Sequence, residues 1–318
     1  MNEESKNKET KLASAPETGK INLLSGSIFI SAIILAGAWV YTGGYETVSR
    51  QKLSVTDAAE NAQISELEKL EEKVLPSEGV VLPVTWGDLG AKLVGTGVID
   101  AEKFKAIYQK QSSFTDEYEN LLFGQNNGRL KITKDNAGYL LNLFWALGLA
   151  NKNPILETGE MVNPAYGGAQ NFASTGGWTI AKGGSMSHYS RHEFFTLTPE
   201  QQVLVDKMSR GIYRPCCGNS THFPDCNHGM AMLGLLELMA SQGVGEKDMW
   251  KAALAVNSYW FPDTYLTIAG YLKSKGINWS DANPQEILGR DYSSSSGYKK
   301  ILSEITVPTK RSGESCSI

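Results

Sequence analysis

All four histidines and three of the four cysteines of this chain fall between His188 and His228. The densest part is Arg214-Pro-Cys-Cys-Gly-Asn-Ser-Thr-His-Phe-Pro-Asp-Cys-Asn-His-Gly, which runs directly into the apolar stretch Met230–Ala240. Thiolate sulfur and imidazole nitrogen together suit zinc or copper. Cys216, Cys217, Cys226 and His228 are the leading candidate ligands, with His222, His188 or His192 as a further one. His188 and His192 are four residues apart, so on a helix they would share one face. Met230 and Met232 add thioethers, which tilt the choice towards copper. The spacing, two adjacent cysteines followed at a distance by Cys-x-His, matches no standard zinc-finger pattern.

Two other chemistries fit the same residues. Cys226 can pair with Cys216 or Cys217 in a disulfide, Cys217–Cys226 being the first choice, and closing that loop stabilises by roughly 2–3 kcal/mol. One cysteine then stays unpaired. Alternatively, Cys226 at a helix start with a histidine nearby meets the minimum for a thiol nucleophile. No signature of a thiol hydrolase or of a Cys-x-x-Cys oxidoreductase surrounds it. No catalytic residue is therefore assigned, and the balance leans away from an enzyme.

These side chains need a scaffold, and the sequence indicates a mainly α one. Met230–Ala240 carries a single charge, Glu237, and a helix apolar on nearly every face is buried at the centre of a domain. Asp225 or Asn227 is its expected cap. Its positive dipole end then lies at Cys226 and favours a thiolate there. Glu237 is expected to pair with Arg214 or Arg191, or to support a ligand histidine. Further helices are expected from Thr85 to Val94, from Asp100 to Tyr108, from Thr115 to Gly124, and over Asp135–Leu149 behind Thr133. Thr198-Pro-Glu-Gln predicts another helix start with a capping box. Glu246–Ser258 and Asp263–Lys275 read as amphipathic helices closed by Gly276. Strand signals are weak throughout. Residues 151–190 form a long Gly-rich loop, the sort of segment that often carries function.

Residues 21–44 hold no charged side chain and match a single membrane-spanning helix. Lys6, Lys8, Lys11 and Lys20 precede it, while only Arg50 and Lys52 follow closely, which places the N-terminus inside and the remainder outside the cell membrane. Ala36-Gly37-Ala38 also fits a cleaved signal peptide. The expected plan is a disordered tail over 1–20, the span, a stalk helix and linker over 45–79, a helical extracytoplasmic domain over 80–305 and a disordered tail over 306–318. A net charge of −4 and a pI near 5.7 argue against nucleic-acid binding. A protein partner or small ligand is not specified.

The run Arg214-Pro-Cys-Cys-Gly-Asn-Ser-Thr-His-Phe-Pro-Asp-Cys-Asn-His-Gly-Met-Ala-Met-Leu-Gly-Leu-Leu-Glu-Leu, behind one N-terminal span, resembles a segment of single-span exported bacterial envelope proteins. Thr85-Trp-Gly-Asp-Leu-Gly-Ala-Lys and Ser258-Tyr-Trp-Phe-Pro-Asp-Thr-Tyr fit the same likeness, which covers most of residues 80–305. The resemblance implies an envelope protein with a mainly helical domain and carries no activity with it. The sequence therefore supports a membrane-anchored Cys/His metal- or cofactor-binding protein. A disulfide-stabilised structural or partner-binding module is the alternative, and a thiol-dependent envelope enzyme the third reading.

Overall fold

Two helices that cross glycine against glycine form the centre of the domain. The computed structural model describes residues 64–110 and 114–305. The apolar run 21–44, the two tails and Cys316 lie outside the described residues, and among those described no helix is long and apolar enough to cross a membrane. The helical turns over 64–74 end with Val74 and Leu75 in the core, and Tyr259 donates to Pro76 O at 2.7 Å. Glu66 pairs with Lys273 at 2.8 Å. Residues 64–76 of the expected stalk and linker thus pack against the domain, and residues 45–63 lie outside the described residues.

Two strands follow, β1 (Val80–Gly87) and β2 (Asn127–Ile132), paired antiparallel. Thr85 thus lies in a strand and does not cap a helix. Leu82, Val84 and Trp86 alternate into the core as a half-buried strand requires. Pro83 hides the pattern, because proline normally argues against a strand. It sits inside the register shift between Val81 and Thr85, where its missing N–H breaks no regular ladder.

Between the strands run α1 (Leu89–Gly95), α2 (Ala101–Gln109) and α3 (Asp116–Phe123). Asp100 accepts from Glu102 N and Lys103 N, and Thr115 accepts from Tyr118 N, so both expected caps form. Next comes α4 (Ala137–Ala150), entered through a reciprocal pair: Thr133 N donates to Asn136 Oδ1 and Asn136 N to Thr133 Oγ1. The Gly-rich stretch after it holds short helical turns at Pro154–Thr158, Glu160–Val162, Pro164–Tyr166, Ala169–Asn171, Ala173–Gly176 and Ser185–Ser187.

Then α5 (Pro199–Gly211) opens with the full capping box of Thr198 and Gln201. The loop 212–226 leads into α6 (Asn227–Ser241), followed by α7 (Glu246–Trp260), α8 (Pro262–Ser274) and α9 (Ser295–Glu304). Every residue of α6 from His228 to Ala240 is buried. Its main partner is α4. A Cβ placed on Gly234 would stand 2.6 Å from Gly148 N, and one on Gly148 would stand 2.8 Å from Gly234 N. The two backbones therefore touch, and only glycine at both positions permits it. At the other end Val244 N donates to Met239 O and Gly243 takes a φ of 73°, which closes α6 with a left-handed glycine.

Candidate metal centre

The head of α6 is built by an arginine. Cys226 is the N-cap residue, and its side chain makes no capping bond. Neither expected cap serves. Asp225 is held by Arg214 Nη2 at 2.6 Å and by Asn219 Nδ2 at 2.8 Å, while Asn227 Oδ1 takes only the adjacent His228 N–H. Arg214 is 1% exposed. Its Nε donates to Cys226 Sγ at 3.1 Å, Nη1 to Asn219 O at 3.2 Å and Nη2 to Phe223 O at 3.1 Å. One planar fork thus fixes the whole loop, as only guanidinium geometry allows. A Cβ on Gly229 would lie 2.5 Å from its Cζ, so the first turn of α6 is bare where the arginine lies. Burial alone lowers an arginine's pKa; the sulfurs of Cys226 and Cys217 more than offset that, and the group stays charged.

Cys226 Sγ lies 3.6 Å from Cys216 Sγ. One ring nitrogen of His228 and these two sulfurs all lie within 4.8 Å of one another, a group that could hold a metal ion. His228 is buried against Phe261, ring centroids 4.4 Å apart, and Trp260, 5.7 Å. Its Nδ1 has no hydrogen-bond partner in the protein. A second group, Cys217, Asp225 and Cys226, has the same compactness. There the Asp225 carboxylate is already taken by Arg214 and Asn219, so the first group is the better site. Cys217 Sγ rests 3.8 Å from Asp225 Oδ1.

The electrostatics favour a thiolate at Cys226. Hydrogen bonds from Cys216 and then Cys217 pull its thiol well below the usual range, and Arg214 and His228 add to this against the cost of burial. Its place at the positive end of a fifteen-residue helix acts in the same direction. A sulfur so stabilised is a ready metal ligand or nucleophile.

The remaining histidines are engaged elsewhere. His222 Nδ1 meets Glu160 Oε2 at 3.0 Å and His222 Nε2 meets Asp206 Oδ1 at 3.0 Å. Asp206, which Arg210 holds below its ordinary range, thus shares its carboxylate with His222, beside a cavity of about 360 Å³. This ring clips the loop to α5 and has no nitrogen left to ligate. His188 and His192 lie in a turn, not on one helix face, and bond to each other.

Glu237 does not pair with Arg214 or Arg191. It is wholly buried on α6, takes Asn151 Nδ2 on Oε2 at 3.0 Å and leaves Oε1 without a partner. Burial pushes its carboxyl well above the ordinary value near 4.5. A carboxyl raised in the folded state contributes most below the unfolded pKa and costs stability as pH climbs towards the folded one. Denaturant midpoints of native protein and of Glu237→Gln, compared from pH 4 to 8, test this. The native protein should lose stability relative to the variant by at most about 1.4 kcal/mol per pH unit above the unfolded value. Parallel curves would refute a buried neutral carboxyl.

No protein-family model, curated protein or solved structure matches this chain. Function must therefore be read from the side chains. Sequence spacing marked three of the groups that converge and also marked Cys217. It did not mark Asp225, Gly229, Trp260 or Phe261 as parts of the site, and it misassigned Arg214. An arginine two residues before the cysteine pair was the available signal.

Proposed function

We propose that this protein binds one thiophilic metal ion, zinc or copper(I), through Cys216 Sγ, Cys226 Sγ and a ring nitrogen of His228, in a domain tethered to the outer face of a membrane by the run 21–44. The carrying observation is the convergence of two sulfurs with a buried imidazole whose Nδ1 has no partner. Thiolates select soft ions, and three protein ligands leave one position open. Cys216 is exposed, so that position is reachable from water. An open position allows an ion to be exchanged or to hold an external ligand. The N–H···S bond from Arg214 orients Cys226 and moderates its charge.

The separation of 3.6 Å between Cys216 Sγ and Cys226 Sγ favours a second reading, a disulfide between these two rather than between Cys217 and Cys226. Metal content and titratable thiols of the full-length protein distinguish the two. The metal reading expects one ion per chain, lost in Cys226→Ser and bound at least about tenfold more weakly in His228→Ala. Metal-free protein with two fewer thiols than its four cysteines establishes the disulfide instead. An ion retained at full stoichiometry and affinity in both variants excludes this centre.

A further inference from the structure

Away from the sulfurs, two imidazoles face each other. His188 Nδ1 and His192 Nε2 are 3.0 Å apart. His188 Nε2 lies 2.9 Å from Lys182 O. A carbonyl only accepts, so Nε2 carries a proton and Nδ1 of the neutral ring turns its lone pair towards His192. This is the arrangement by which an outer carbonyl prepares a histidine to ligate. The rings meet nearly head-on, with centroids 5.3 Å apart, as an N–H···N bond requires. Two nitrogens sharing one zinc at about 2.0–2.1 Å also stand roughly 3 Å apart, so a tilt of the rings turns both lone pairs to a common ion without separating them.

The backbone is shaped to hold that distance. Ser190, midway between the rings, has φ 51°, the only positive φ of a non-glycine residue among those described. Such strain persists where surrounding structure enforces it, and often marks a functional site. Here Ser190 N donates to Leu149 O, and Arg191 N and His192 N to Ala150 O, while Lys152 N donates to His192 O. Ser190 Oγ accepts from Asn153 N at 3.1 Å and donates to Glu157 Oε1 at 3.3 Å. The turn is thus clamped to the C-terminal end of α4, where the helix dipole favours a cation. His188 is buried, and His192 stacks on Phe194 with centroids 5.6 Å apart.

We propose that His188 Nδ1 and His192 Nε2 form a second cation site, separate from the thiol centre, for a borderline transition ion such as zinc(II), nickel(II) or copper(II), with water completing the coordination. The two sites differ in chemistry: sulfur selects soft ions, whereas imidazole with water takes borderline ones. When no ion is bound, one proton on His192 Nε2 bridges the rings. Ion binding takes the place of that proton, which moves through solvent to His192 Nδ1, so the ring stays neutral and Nε2 is free to ligate.

The test uses tag-free, full-length protein carrying Cys216→Ser, Cys217→Ser and Cys226→Ser, which removes the thiol centre. Nickel(II) is titrated in by calorimetry. One ion per chain is expected, and adding His192→Gln should weaken binding at least about tenfold. Glutamine keeps an N–H donor for His188 Nδ1, so the thermal midpoint should hold. No nickel uptake by the parent, or undiminished uptake with His192→Gln, overturns the proposal. Copper(II) on the parent gives a measurement independent of that variant. Electron paramagnetic resonance should show coupling to two nitrogens, and a spectrum without nitrogen coupling also overturns it.

Discussion

Arg214→Met should lower stability by about 3–5 kcal/mol and abolish ion binding at the thiol centre. Methionine matches the volume of the stem but none of its donors. Removing the guanidinium leaves the Asp225 carboxylate with Asn219 Nδ2 alone and takes the donor from Asn219 O, Phe223 O and the Cys226 sulfur together. A buried charge left without its partner costs far more than the intact pair contributes. Arg214→Lys keeps the charge but has one nitrogen for four acceptors, so it should fall between the two. Denaturant midpoints at constant m-value measure both variants. A loss below about 1 kcal/mol for Arg214→Met would show that the loop holds itself without the arginine.

The second large effect runs against local propensity. Alanine in a helix interior is normally favoured over glycine by about 1 kcal/mol. Gly234→Ala should nevertheless destabilise by about 3 kcal/mol, because the new methyl meets backbone atoms of α4, Gly148 N at 2.6 Å and Phe144 O. Backbone cannot rotate aside as a side chain does, so α4 and α6 must separate. Gly138→Ala in α4, where a Cβ meets nothing within 4 Å, is the matched control and should gain about 0.5–1 kcal/mol. Thermal unfolding of the two variants decides the matter; equal gains would mean that the helices do not cross at contact.

Legibility followed how local each signal is. The capping box at Thr198 and Gln201, the caps at Asp100 and Thr115, and the close of α8 at Gly276 are set within a turn or two of chain. The strand β1 was missed because Pro83 interrupts its local signal, although its inward residues alternate. The cap of α6 was misread for a different reason. Asp225 is a good local cap, but a buried guanidinium is a stronger partner for a carboxylate than a helix N–H. The Glu237 pairing failed in the same way, since Arg214 was already committed.

By itself the sequence determined that α6 is central and buried, since apolar residues on nearly every face leave no side for water. It also put Cys226 and His228 side by side at the head of that helix, through their spacing in the chain. Tertiary structure alone decided which groups join them. The path of the loop brings Cys216 to 3.6 Å, Arg214 binds the Cys226 sulfur and Asp225, and His222 and the His188–His192 pair go to partners of their own. The physical reason is that burial along a helix follows a period readable over a few residues. Convergence of side chains depends instead on where loops close and on which buried charge finds which partner.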